Sequence, residues 1–344
     1  MISERRLAIL NLIVEHYLKT GEPMGSKTLC QLLPYSVSSA TVRNEMAYLS
    51  ELGFLEQRHT SGGRVPSNAC YRYYIDNLMQ EQPVSNYDAK VINDTLSINA
   101  GDPERLLSDA SKLISSYTRC ASFNCIIEDE LDCIKGVDLI PAGGSKAMLV
   151  MLTVGSKIKS SLINVPCRID DDFRFLFYEI TQRLFVGIPL SEANLAKVQS
   201  AVLIAGDRIF DMLPILVSLC SLCSEASHTT FNLEGETSLL AHEELGSGVY
   251  KLLSFLADRE KMTKLIKEFC NNPLKSALMI GNENPIYEMK NTSTIISQYT
   301  YGNNQKACLG LVGSVRIDYK KIIPTVNYIF KSVENLLSGE VRNG

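Results

Sequence analysis

Arg43 and Asn44 are the residues whose chemistry is most pointed in this chain. A guanidinium fork can grip the O6/N7 edge of guanine and a carboxamide the N6/N7 edge of adenine, provided both are held in a major groove. Ser39 and Thr41 stand just before them and can reach phosphates. Ser26 and Lys27 are a second pair suited to a phosphate. His59, Thr60 and Arg64 surround Ser61-Gly62-Gly63 and suit a sugar–phosphate backbone or a minor groove. These nine residues form a set for reading a duplex.

Such side chains need rigid carriers, and the local sequence supplies them. Val42, Met46, Leu49 and Leu52 recur at spacings of four and three, Ser38 or Ser39 is placed to cap the first turn, and Gly53 supplies a left-handed stop. The outer face of that helix carries Ser39, Thr41, Arg43, Asn44 and Tyr48. Phe54 to Arg58 then predicts a strand, Thr60 to Gly63 a tight turn, and Arg64-Val65 a return strand ended by Pro66. Upstream, Leu7, Leu10, Val14 and Tyr17 predict a first helix over 3–19. Gly21-Glu22-Pro23 breaks it, and Ser26 is placed to cap a second helix through Leu33. Helix, short helix, turn, helix and hairpin make a winged helix-turn-helix, with the third helix in the groove.

Composition narrows the remaining classes. The chain has 344 residues, 45% of them hydrophobic, enough for two or three domains with real cores. Residues 1–75 hold eight Lys and Arg against six Asp and Glu, whereas the whole chain carries −4, so the asymmetry is mild and of the right sign for DNA. No apolar run approaches the roughly 20 residues of a membrane span. The first apolar stretch is interrupted by Asn11, Glu15 and His16, so a cytoplasmic protein without a membrane partner is expected. Ten cysteines are scattered, and only Cys220 and Cys223 form a C-x-x-C pair, inside an apolar run. His228 and His242 are the nearby candidates for completing a zinc site, set against the alternative of buried reduced thiols; no metal or cofactor is expected. Walker, G-x-S-x-G, H-E-x-x-H and G-x-G-x-x-G motifs are all absent, so no enzyme is expected.

The segments G-E-P-M-G-S-K-T-L (21–29), S-S-A-T-V-R-N-E-M-A-Y-L-S-E-L-G-F-L-E-Q (38–57) and H-T-S-G-G-R-V-P-S-N-A-C-Y-R-Y-Y-I-D (59–76) resemble the HrcA family of heat-inducible transcription repressors. I-G-N-E-N (280–284) and G-L-V-G-S-V-R-I-D-Y (310–319) are similar to its C-terminal signatures. Ser314-Val315 departs from the family's usual Pro-Thr. The resemblance implies an α+β multidomain fold: a winged helix over 1–79, a linker over 80–86, a GAF-like α+β domain over 87–168 and 255–344, and an inserted, mostly helical dimerising domain over 169–254. It also implies a homodimer on a double-stranded DNA inverted repeat of the CIRCE type, repression of chaperone operons released by heat, and a GroEL-type chaperonin as partner.

Local patterns agree with that outline. Residues 68–79 predict a helix with Tyr71, Tyr74, Ile75 and Leu78 on one face. Runs 120–128, 133–141, 147–155 and 157–166 predict strands of one antiparallel sheet, and helical spacing takes over from Asp172 with Phe173, Leu176, Phe177, Ile180 and Leu184. Strands return at 274–280, 294–300 and 308–315, before a closing helix over 319–337. The competing reading is a regulator that responds to a small molecule, with Gly281 to Asn284, Arg316 and Asp318 lining its pocket.

Overall fold

A computed structural model of the chain describes residues 3–57, 63–127, 129, 131–155, 157–165, 167–302 and 304–339. The N-terminal segment folds as helix α1 (Glu4–Thr20), α2 (Ser26–Leu32), α3 (Ser39–Glu51) and a ribbon of β1 (Leu55–Glu56) and β2 (Val65–Pro66). Ile9, Leu10, Ile13, Val14 and Tyr17 of α1 are buried together with Leu29, Val42, Met46 and Leu49, so the apolar stripes of all three helices meet in one core. Ser38 caps α3 by accepting from the Thr41 amide at 3.1 Å. Gly53, at φ +80°, ends it, and the next amide, of Phe54, donates to the Leu49 carbonyl at 2.9 Å.

Three local expectations change. Gly25, not Ser26, occupies the cap position of α2, and Ser26 is its first helical residue. Leu52 is 46% exposed, because it lies past the last helical residue, where helical spacing no longer returns a side chain to the buried face. The ribbon pairs Leu55 with Pro66 and Glu56 with Val65, so Pro66 belongs to the return strand instead of ending it. A bridge between Met24 and Arg64 joins the same strand to the segment before α2, with N···O distances of 3.0 and 2.9 Å. This pairing fastens the ribbon to the helices. Helix α4 (Asn68–Asn77) follows, capped by Ser67, whose hydroxyl also donates to the Gly53 carbonyl at 2.6 Å. Then come α5 (Asn86–Ser97), α6 (Pro103–Thr118) and β3 (Ala121–Ile126).

The chain divides into two compact units: residues 1–124, 232–298 and 308–344 form the first, and residues 125–231 with 299–307 the second. In the second unit, β4 (Ile134–Gly143), β5 (Lys146–Thr153) and β6 (Ile158–Asn164) form an antiparallel sheet in that order, with Val137 opposite Met151 and Leu149 opposite Ser161. Leu139, Leu149, Met151 and Ile163 share one core with Phe173, Phe177 and Ile180 of α7 (Asp171–Leu184), Val198 and Ala201 of α8 (Leu195–Ala205), and Ile215, Leu216 and Leu219 of α9 (Ile209–Ser227). The strand grouping therefore differs from expectation. Among the described residues β4 to β6 pair with one another and with none of the later strands. The physical reason is that alternation records a half-buried strand but not its partner.

The chain returns through β7 (Thr230–Glu234), α10 (Gly248–Ala257), α11 (Arg259–Cys270), β8 (Ser276–Ile280), β9 (Thr292–Tyr301), β10 (Gln305–Ser314) and α12 (Tyr319–Leu337). Its sheet has the order β7-β3-β10-β9-β8, and the first unit holds most of its residues. Ser122 and Phe123 are neighbours on β3 and so point to opposite faces. The Ser122 hydroxyl bonds the Ser111 carbonyl of α6 at 2.6 Å, whereas Phe123 lines a space beneath α11. Helices thus cover both faces, with α12 packed against α5 and α6.

Candidate nucleic-acid interface

Helix α3 sorts its residues cleanly. Val42, Met46 and Leu49 are buried, while Ala40, Arg43, Asn44 and Ala47 form an exposed stripe at the same helical period. Among the described residues no hydrogen bond or ion pair engages the side chains of Arg43 or Asn44, so both are free to meet a ligand. Ser39 and Thr41 are half-buried at the start of the helix. The Ser39 hydroxyl lies 3.1 Å from that of Ser26, and the Thr41 hydroxyl lies 2.9 Å from that of Ser38. The first bond ties the start of α2 to the start of α3 and leaves Lys27 exposed beside it.

Three expectations fare differently. Tyr48 lies under the Arg6 guanidinium, 3.6 Å from its ring centroid, and Arg6 also holds Glu45 at 2.6 Å. Tyr48 therefore serves the packing of α1 on α3. Arg64 is half-buried and its Nε donates to the Ser50 hydroxyl at 3.2 Å, which turns the stem of the side chain back toward α3. His59 and Thr60 lie outside the described residues.

The motif around 280–284 has a role that sequence reasoning missed. Arg72, on α4, donates Nε to Glu283 Oε1 at 3.0 Å and Nη2 to Glu283 Oε2 at 2.6 Å, and reaches the Leu278 carbonyl at 2.6 Å. This is a two-pronged grip on a carboxylate. Burial alone would raise the Glu283 carboxyl, but the bonds from Arg72 and from the Ile280 amide outweigh it and hold it below its ordinary range. Asn68, at the start of α4, sits where a Cβ on Gly281 would fall, and Gly281 takes φ +56°. Lys320 of α12 adds a bond to Glu15 of α1 at 2.5 Å, and Tyr71 stacks obliquely on Tyr319 with centroids 5.9 Å apart. The N-terminal helices are therefore seated on the sheet domain through α1 and α4. The legible signal was that Arg72 and Glu283 both fall inside segments resembling one family.

These contacts also dismantle the pocket suggested by Gly281 to Asn284, Arg316 and Asp318. Glu283 is occupied by Arg72. Asn284 is buried, donating to the carbonyls of Gly281, Met289 and Thr292 at 3.1, 3.1 and 2.9 Å and accepting from the Thr294 hydroxyl at 2.8 Å. Arg316 points instead to Glu244, with Nε 3.4 Å from Oε1. Ser314 donates to the same carboxylate at 2.6 Å. Burial would raise the Glu244 carboxyl, but His242, Ser314 and Arg316 together pull it far below the usual carboxylate range.

The cysteines are free thiols. Cys223 is buried with its sulfur 3.4 Å from that of Met151, and burial pushes its thiol up to about 12. Among the described residues no cluster of His, Cys, Asp and Glu could hold a metal ion, and no helix is long and apolar enough to cross a membrane.

Comparison with known proteins places these features in a lineage. The family described as HrcA protein C terminal domain matches residues 104–323, more than half of the chain. The chain belongs to the HrcA family. Heat-inducible transcription repressor HrcA of Clostridium botulinum (strain Eklund 17B / Type B) is 31% identical over 351 residues, covering 98% of this chain and 99% of that one. The HrcA repressor of Acetivibrio thermocellus is 29% identical over 330 residues, covering 95% and 94%. A solved structure described as a hypothetical protein superposes with a TM-score of 0.72 at 20% identity, covering 98% of this chain and 99% of its own. It shares the α+β fold. HrcA proteins are heat-inducible transcription repressors, and repression by binding is not an enzyme class.

Proposed function

We propose that this HrcA-family chain represses chaperone operons by occupying an inverted-repeat operator of the CIRCE type as a homodimer. The observation that carries the reading is the exposed stripe of α3, where Arg43 and Asn44, bonded to no described residue, stand beside Lys27 and a short ribbon. In this reading residues 1–79 are a winged helix-turn-helix, with α3 in the major groove and the ribbon as its wing. The sheet domain of the first unit is GAF-like, and the second unit is the inserted dimerising domain.

Phe175, Tyr178, Leu203 and Phe210 support a dimer through the second unit, being 70%, 57%, 92% and 80% exposed on its helices. Large apolar side chains left this exposed on the helices of one unit suit an interface. A single head reads one half-site with modest specificity, and a two-fold pair reads a repeat whose halves are about one helical turn apart or a multiple of it. The same exposed apolar residues suit a GroEL-type chaperonin, which binds apolar surface of incompletely assembled chains. Heat-damaged proteins that compete for the chaperonin then lower the active fraction of repressor and release the operon.

The test is a fluorescence-anisotropy titration of purified protein on an inverted-repeat duplex, an isolated half-site and a scrambled duplex, repeated over a salt series. The full repeat should bind at least a hundredfold tighter than the half-site, with log affinity falling linearly against log salt. Equal affinity for all three duplexes would overturn the proposal.

A further inference from the structure

Between α11 and the sheet of the first unit lies a cavity of about 140 Å³. Phe123 of β3, Met262, Ile266 and Phe269 of α11, Met279 of β8 and Ile296 of β9 make most of its wall. Gly310 helps to shape it. A Cβ at that position would come within 2.5 Å of the Phe123 ring, so the missing side chain on β10 is what lets the ring lie across the sheet toward the cavity.

The chemistry of the wall specifies a guest. Asn284 and Thr294 are the uncharged polar residues of the lining, and both are already bonded within the protein: the carboxamide to three carbonyls and the hydroxyl to the carboxamide. A water molecule needs two to four polar partners to stay in such a space, and few are on offer here. A dry apolar cavity of about 150 Å³ is large enough for benzene. Methionine walls adapt to the outline of whatever enters, and Met262, Met279 and Met289 all contribute. The exposed Glu268 is the charged member of the lining, so a negative charge on the guest would be opposed.

We propose that this cavity is a binding site for a compact, neutral, apolar molecule of the size of a single aromatic ring. The site stands whether or not α3 reads DNA, since none of its residues belongs to α1, α2 or α3. Its position gives occupancy a consequence. Asn284 and Pro285 of the wall directly follow Glu283, the carboxylate that grips Arg72, so a guest braces the turn on which the N-terminal helices sit.

The experiment uses the full chain carrying ¹³C-methyl methionine, with toluene as probe and sodium benzoate as the charged control. Toluene should shift a subset of the ten methionine methyls, confined to Met262, Met279 and Met289, in a saturable way. It should also raise Tm by roughly 2–3 °C at ten times its Kd. Met279→Trp, placed at a half-buried position, should fill the space and abolish both responses; Leu265→Trp serves the same purpose should the first variant fail to fold. Benzoate should leave both readouts unchanged. The proposal is overturned by a lack of saturable response to toluene, by an equal response to benzoate, by shifts dispersed over other methionines, or by a response that survives in a folded filling variant.

Discussion

Arg43→Ala and Arg64→Ala should separate sequence reading from general attachment, because the structure gives the two arginines different situations. Arg43 is exposed on α3 and bonded to no described residue, so truncating it removes nothing from the fold and its variant should unfold at the parental Tm within about 1 °C. If its guanidinium takes a guanine edge, the operator affinity should fall by about 1–3 kcal/mol, roughly 5- to 150-fold, while scrambled DNA is hardly affected. Arg64 is half-buried and bonded to Ser50. Its truncation should cost about 1 kcal/mol of stability from the lost bond and weaken every duplex by a similar factor. Both can be read from paired anisotropy titrations on operator and scrambled duplexes, with thermal unfolding of each variant as the control for folding. The argument fails if Arg43→Ala binds both duplexes with parental affinity, or if its loss is the same on both.

Other parts of the structure yield equally direct expectations. Arg72 and Glu283 have side chains 30% and 39% exposed, so their two-pronged bond should show a coupling of about 1–2 kcal/mol in a double-mutant cycle followed by urea titration, below the range of a fully buried pair. A coupling near zero would mean the grip is incidental. Glu244 titrates below its ordinary 4.5 in the folded chain, so its contribution is present above that pH and is lost as pH falls through the depressed value; Glu244→Gln should flatten the acid limb of a stability–pH curve. An unchanged limb would show that another carboxylate governs acid unfolding. Gly310→Ala would place a Cβ 2.5 Å from the Phe123 ring and 2.9 Å from the Ile295 carbonyl oxygen, which should destabilise the first unit by about 1–3 kcal/mol in urea titrations. A neutral result would mean that the ring has room to retreat.

What could be read from sequence was local. The Ser38 cap, the Gly53 stop and the closing helix at Tyr319–Leu337 follow from residue type and spacing within a few turns of chain. Strand partnership was not legible, because β3 and β4 look alike as apolar runs yet join different sheets. Helices α5 and α6 escaped notice: α5 buries only Ile92 and Leu96, and α6 places Ser111 and Thr118 on its buried side. Exposure of Arg43 and Asn44 follows from their place opposite Val42, Met46 and Leu49. Arg64 turns back because of Ser50, fourteen positions away, and Arg72 meets a carboxylate 211 positions distant. Contacts that close over such separations leave no periodic trace in the chain.

The grip of Arg72 on Glu283 also bears on engineering by parts. α4 packs on α1 and β2 within the N-terminal segment and also grips β8 and the loop after it, so the two stretches meet as one interlocking joint. Chimeras that exchange the first 79 residues should keep thermal stability where the incoming helix supplies an arginine at position 72, and lose it where it does not, unless the loop at 280–284 travels with them. A modular-looking graft that lacks that arginine and leaves that loop behind would sever the joint at its far side.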